Sequence, residues 1–374
     1  MATPAAGVAQ FAYMSNNGAI TITGDTDIPV NGGVTIPNTI LVGGVSLPVT
    51  SIGDYAFQWS TTLTSVTIGT NVTSIGNYSF DNRTNLISLT IPNSVTTIGA
   101  GAFTYCPRLT NFAIPDSVTS IGDYAFNSCS GLTSVTLPSG VASIVYLEFD
   151  GCSSLTNVSI PDSVTSFGSH AFDSCINLAS VTIGGSVTNI GDDSFLYCYS
   201  LKNVTIPDGV TSIGYMAFAE CTNLTSVTIP SSVVGFGSNV LILCTGLANV
   251  YFEGNPPGVV SSDYGSSVFV QDFRATAYYL PGTTGWGTIY DYIPTALWKP
   301  LVQNSGANFG VRTNEFGFSV SWAGGRVFVV EGCTNLTNPV WVPLATNTLT
   351  SASLYFSDPY WTNYHARFYR VLWP

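Results

Sequence analysis

One feature limits this chain more than any other: a 23-residue repeat that runs through nine successive units without a slip. Ile52, Ile75, Ile98, Ile121, Ile144, Phe167, Ile190, Ile213 and Phe236 mark the period. Five residues on, Phe57, Phe80, Phe103, Phe126, Phe149, Phe172, Phe195 and Phe218 keep the same step, with Leu241 in ninth place. Leucines from Leu63 to Leu247 form a third column, and Val66, Leu89, Phe112, Val135, Val158, Val181, Val204, Val227 and Val250 a fourth. A unit this short has too few residues to bury its own apolar side, so it is stable only when neighbours stack on both faces. The expected fold class is therefore mainly β, a solenoid of stacked units.

Each unit reads as alternating strand and turn. In residues 63–68, Leu-Thr-Ser-Val-Thr-Ile, the last three alternate inward and outward as a strand requires. A turn such as Ile160-Pro161-Asp162 follows, because Pro presets φ and Asp favours the bend. A second short extended piece ends at the period-marking Ile. Gly122-Asp123 then predicts a break, with Asp123 capping a short helical turn that carries Phe126. Adjacent units are expected about 4.8 Å apart, so that nine span on the order of 40 Å.

The run Val-Thr-Ser-Ile-Gly-Asp-Tyr-Ala-Phe at residues 118–126, followed by Cys129, Leu132 and Val135, resembles the BspA-like class of leucine-rich repeats. The resemblance covers residues 46–252. It implies a secreted or surface-attached protein of bacterial or protozoan type with a role in adhesion. It carries over no binding residues, since the class has no shared ligand motif to map here.

The flanks predict three further segments. Residues 1–45 read as an N-terminal cap built on a hairpin around Asn16-Asn17-Gly18. Residues 253–300 read as a C-terminal cap, with Pro256-Pro257-Gly258 ending the repeats. Residues 301–374 read as a small β-sandwich-like domain with strands near 308–312, 317–322, 326–331, 340–344, 353–356 and 367–372. This tail resembles small β-domains at the ends of secreted bacterial proteins.

Only 8% of the residues are charged, against roughly 25% in an average domain. Ser, Thr, Asn and Gly must therefore wet the surface, as in secreted β-rich proteins. The net charge of −12 is uneven: 5 Lys/Arg against 18 Asp/Glu in residues 1–300, and 4 Arg against 3 Asp/Glu beyond. Without a basic patch to neutralise phosphates, no nucleic-acid partner is expected. No run of 18 apolar residues predicts a membrane span. Residues 1–10 lack the features of a signal peptide, and the composition favours export with the leader outside this sequence.

Four sets of residues are candidates for chemistry. Cys106, Cys129, Cys152, Cys175, Cys198, Cys221 and Cys244 share one position, with Ser60 and Arg83 in their place in the first two units. They lack the close pairing of a zinc site, and a 5 Å step alone does not supply disulfide geometry. They are expected reduced and structural, as small core residues. Outward positions on the longer strand form the candidate ligand face: Ser134, Thr136, Asn157, Ser159, Ser180, Thr182, Asn203, Thr205, Ser226 and Thr228. A second hydroxyl stripe runs through Thr96/Thr97, Thr119/Ser120, Thr165/Ser166 and Thr211/Ser212. Strand propensity alone also selects such residues. Asp54, Asp123 and Asp192, and separately Asp116, Asp162 and Asp208, recur at turns; interrupted by other residues, they suit turns and caps better than calcium. His170 and His365 fall in no catalytic motif.

Neither a cofactor nor a metal is expected, nor an enzymatic role. The leading expectation is a non-catalytic extracellular or cell-surface protein that presents its strand face to a glycan or protein ligand. The alternative is a structural protein that self-assembles into a surface layer or fibre. An ice-binding face, resting only on the Thr stripes, is a third.

Overall fold

The computed structural model describes residues 11–25, 32–58, 62–110, 113–259, 267–272, 274–306, 309–312, 315–351 and 353–373. Residues 1–10, Ser60, Asn111, Phe112 and Asn308, which enter the sequence expectations, lie outside the described residues. Apart from one 3-10 turn at Trp361–Asn363, the regular elements are all β-strands, and no α-helix occurs among the described residues. Two compact units divide the chain: Met1–Ala277 with Thr284–Thr295, and Tyr278–Thr283 with Ala296–Pro374.

The first unit is the solenoid. Ser134–Thr136, Asn157–Ser159, Ser180–Thr182, Asn203–Thr205, Ser226–Ile229 and Asn249–Phe252 form one parallel ladder. Gly33–Thr35, Ser65–Thr67 and Ser88–Thr90 form another. Two-residue strands such as Thr97–Ile98 and Ser120–Ile121 build the short-strand side. The ladder is parallel and in register because each residue faces its counterpart one period away.

The interior follows from the same rule. Phe57 to Phe218 form one continuous stack, with successive ring centroids 5.1–5.6 Å apart and planes within 14° of parallel. All eight rings are essentially inaccessible to water. Burying a side chain of this size contributes about 1.5–3 kcal/mol, and the offset contact with each neighbour adds about 0.5–1.5 kcal/mol.

The segment carrying Phe126 is not a helical turn. The N–H groups of Tyr124, Phe126 and Ser128 donate to Tyr146, Glu148 and Asp150 of the next unit. The intervening Ala125, Asn127 and Cys129 close local turns to the residue three before. Tyr124 and Ser128 take φ of 60° and 57°, in the left-handed region. Alternate donors are spent on the neighbour, so none remains for a helical ladder.

The repeat register reaches beyond its expected bounds at both ends. Val34 pairs with Val66, and a hairpin around Gly43-Gly44 (φ 59° and 85°) lengthens that first unit. The expected hairpin forms at Asn17-Gly18 between Phe11–Asn16 and Ala19–Asp25, and Ile22 pairs in parallel with Ile52. At the far end Pro256-Pro257-Gly258 does not stop the repeat. Gly258 lacks no donor, its N–H bonds to Val234 O at 3.0 Å, and Val259 pairs with Phe236. Leu241 N–H then donates to Val268 O, 27 residues on, where Phe218 N–H reaches Val240 O after 22.

The second unit packs Glu315–Ser321 between Ser353–Asp358 on one side and Leu301–Val302 with Gly310–Arg312 on the other. Val327–Cys333 pairs with Val342–Thr348 and Phe368–Leu372. Phe318, Val320, Trp322, Phe328, Val330 and Phe356 fill the core between them.

Candidate binding surface

The long strands alternate outward and inward, so that Val135, Val158, Val181 and Val204 are buried while their neighbours face water. Register then sets the outward residues in two columns. Ser134, Asn157, Ser180, Asn203 and Ser226 form one; Thr136, Ser159, Thr182, Thr205 and Thr228 form the other. The first four rows are exposed and Ser226 and Thr228 half-buried. Ser180 Oγ donates to Asn157 Oδ1 at 2.5 Å, and Asn157 Nδ2 to Thr156 Oγ1 at 3.2 Å. The other eight side chains make no hydrogen bond among the described residues.

The second hydroxyl stripe is chemically different. Thr73, Thr96, Thr119, Thr165, Thr188 and Thr211 each donate Oγ1–H to a backbone carbonyl of the preceding unit, at 3.1–3.5 Å. Those six hydroxyls serve the stack, whereas Thr97, Ser120, Ser166 and Ser212 beside them make no side-chain hydrogen bond among the described residues, as is true of most of the long-strand face.

The turn carboxylates also bind neighbours. Oδ1 of Asp54, Asp192 and Asp162 accepts the backbone N–H of Asn77, Tyr215 and Gly185 at 2.7–2.8 Å. Asp123 accepts that of Tyr146 at 3.2 Å, one unit on, rather than capping its own turn. Among the described residues no group of three His, Cys, Asp or Glu side chains is placed to hold a metal ion.

The seven column cysteines are free and buried. Each Sγ–H donates to the carbonyl of a stacked Phe in the preceding unit, at 3.1–3.3 Å. Burial raises the thiol pKa of Cys106, Cys152, Cys175, Cys198, Cys221 and Cys244, and a neighbouring thiol or carboxylate adds to the rise.

The stacked units, the Phe and Cys columns and the turn hydrogen bonds correspond to a known repeat. A family model described as a BspA type leucine rich repeat region (6 copies) matches residues 50–179 and 144–261. The chain belongs to that family. No curated protein matches it in sequence. Similar solved structures include a leucine rich cell surface protein from Faecalibacterium prausnitzii, 26% identical, covering 68% of this chain and 94% of that one at a TM-score of 0.32. A leucine-rich repeat protein of T. pallidum is 27% identical, covering 45% and 88% at 0.36. One from Bacteroides ovatus is 22% identical, covering 78% and 98% at 0.31.

Against the regular BspA-type unit, a few residues stand out. Arg83 is fully buried in the thiol column, and its guanidinium has no hydrogen-bond partner among the described residues. Desolvation lowers its pKa to about 10, partly offset by Asp25. Asp272, buried with neither oxygen partnered, neighbours Cys244 at the other end, and desolvation lifts it to about 7. Arg83 was visible in the sequence because it keeps the period; Asp272 was hidden by the longer step before it.

His170 Nδ1 lies 3.0 Å from Asp173 Oδ2, and Nε2 lies 3.4 Å from Asp193 Oδ2. Ser174 Oγ donates to the same Asp173 carboxylate at 2.9 Å. The hydroxyl is therefore held by the carboxylate and is not presented to the imidazole as a nucleophile would be. His365 is exposed. In the second unit Asp358 forms an ion pair with Arg367 Nε at 2.8 Å and accepts from Tyr369 OH at 2.9 Å, at the edge of a groove of about 350 Å3.

Proposed function

We propose that this protein is a non-catalytic binding protein of the cell surface or extracellular space. Its long-strand face, from Ser134 and Thr136 to Ser226 and Thr228, contacts a glycan or protein ligand. One observation carries the reading: these side chains form a two-column lattice, eight of the ten with uncommitted hydrogen-bonding groups, while the Thr96, Thr119, Thr165 and Thr211 column of the second stripe donates into the stack. A rigid array of donors and acceptors on a repeat scaffold suits a long or repetitive partner. Low charge and an acidic balance favour neutral or cationic ligands over polyanions. Among the described residues no helix is long and apolar enough to cross a membrane.

The test is a glycan and matrix-protein array probed with the full chain and with Ser134→Arg, Thr136→Trp, Thr182→Trp and Thr228→Trp. Binding lost in the face variants and kept in a variant at exposed Thr119 supports the reading. Binding that survives all four substitutions removes the face from consideration.

Self-assembly is a second reading, favoured by Phe368–Leu372. This strand has a single pairing partner and exposes Phe368 and Leu372, the kind of edge that recruits another strand. Light scattering that stays monomeric across a concentration series rules it out.

A further inference from the structure

The short-strand side of the solenoid is not continuous. One ladder ends at Ser120–Ile121, and the next begins at Ser143–Ile144. In the neighbouring unit Thr165 N–H donates to Ala142 O at 2.9 Å and Gly168 N–H to Ile144 O at 2.7 Å. Among the described residues, the equivalent Ala142 and Val145 N–H groups reach no carbonyl of residues 117–122.

Two substitutions in one turn account for the gap. Every other unit carries Gly where this one has Val145. A Cβ on Gly122 would sit 2.4 Å from Ala100 N, and one on Gly168 would sit 2.6 Å from Val145 C. A Val side chain at this position therefore forces its short strand away from the unit before it. Three residues on, where the adjacent units have Ala125 and Ala171, stands Glu148. Its Oε2 accepts the Val145 N–H at 3.0 Å and so replaces the lost carbonyl. Its Oε1 is buried with no partner.

The Phe stack and the turn bonds that flank it run unbroken across the same junction. Phe126 and Phe149 lie 5.3 Å apart, and Phe126 N–H still donates to Glu148 O at 3.0 Å. The short-strand ladder is thus interrupted while the Phe stack runs on, as in a joint. The interruption also divides the surface along the short strands: a groove of about 580 Å3 ends at Val145, and one of about 650 Å3 begins at Phe167.

We propose that the solenoid is jointed between residues 119–122 and 142–145, with the Glu148 carboxyl, bound to Val145 N–H at the gap, as its proton-sensitive latch. The latch is proton-linked. Burial drives this carboxyl from 4.5 up to about 8, the Val145 N–H opposes the rise and Asp123 adds slightly to it. Asp123, in the preceding unit, is the charged group facing it. On the following side the counterparts are Gly168 and Ala171, while His170 packs edge-on against Tyr146 and pairs with Asp173 and Asp193. The closed form holds the proton more tightly than a solvated carboxyl does. Closure is therefore fully favoured below about 4.5 and weakens as pH rises, until the effect levels off above about 8. An ionised Glu148 gains by opening the joint to water.

The test is amide hydrogen exchange on the intact protein from pH 5.5 to 9, corrected for intrinsic rates. It compares Ala142 and Val145 with Thr165 and Gly168. The expected result is protection at least ten-fold lower at the joint, falling further as pH rises. Glu148→Gln keeps an acceptor without the charge and should abolish that pH dependence. Val145→Gly combined with Glu148→Ala restores the neighbouring units' residues and should bring protection level with theirs. Equal protection at both sites in the wild type overturns the joint. A pH dependence that persists in Glu148→Gln, or is absent from the wild type, overturns the latch.

Discussion

Gly214→Ala tests how closely the units stack. The added Cβ would lie 2.4 Å from Asp192 Oδ1, 2.6 Å from Asp192 N and 2.7 Å from Gly191 C. Most of that clash is with backbone, so no side-chain rotation relieves it. Overpacking of this kind costs about 1–3 kcal/mol. Moving the turn also weakens Gly214 N–H to Ile190 O (2.9 Å) and Tyr215 N–H to Asp192 Oδ1 (2.7 Å), at about 1 kcal/mol each. The expected loss is about 3–5 kcal/mol in urea unfolding, with faster hydrogen exchange centred on residues 212–216. Gly235→Ala is the internal control: its Cβ meets nothing within 4 Å and its φ is not positive. It should leave stability within about 1 kcal/mol of wild type, on the stabilising side. If the two variants behave alike, stacking does not explain the glycine column.

Other expectations follow from the same geometry. The column thiols, buried and with raised pKa in six of the seven, should resist maleimide in the native protein at pH 8 and react in denaturant; rapid native labelling would refute their placement. Asp272→Asn should stabilise the protein most above pH 7. The buried carboxyl keeps its proton up to about 7, whereas the unfolded one ionises near 3.8, so wild-type stability declines across that window and the variant's does not. Parallel pH profiles of the urea midpoint contradict this. Asp358→Ala should cost the second unit about 3–5 kcal/mol, because it strands the buried Arg367 without its partner. A loss below about 1 kcal/mol, read from that unit's own transition, would falsify the pairing.

Much of the solenoid was legible because a strict period makes each residue's environment a copy of the one before. Phe57, Cys129, Leu132 and Val135 have inward roles that need only the spacing and their apolar chemistry. The six expected C-terminal strands also appear, since alternation and turn residues are local signals. Two errors came from non-local bonding. A polar turn ending in Phe126 looks like a capped helix until its alternate N–H groups find acceptors in the next unit. Pro256-Pro257 looks like a terminator, yet Gly258 supplies the one donor the ladder needs. The first unit carries the same signal out of period: Val34-Thr35-Ile36-Pro37-Asn38 repeats Leu89-Thr90-Ile91-Pro92-Asn93, displaced by the hairpin at Gly43-Gly44.

The candidate face divides along the same line. Alternation along each strand was enough to place Ser134, Thr136, Asn157, Ser159 and their counterparts outward. Which hydroxyls are uncommitted was decided only when neighbouring units stacked, since Thr96 donates to the Thr73 carbonyl one unit away and Thr182, the same residue type, makes no such bond. The sequence by itself therefore determined the repeat, its buried columns and its outward columns, because those depend on period and polarity. Tertiary structure decided the partners of polar groups, the placement of Asp272 beside the outermost column thiol, Cys244, and the hydrogen bonds lost at Val145, where residues 145–148 already depart from the Gly-Asp-Tyr-Ala pattern in the sequence. Each of those depends on atoms a full unit or more distant along the chain, brought within hydrogen-bonding or van der Waals reach by stacking.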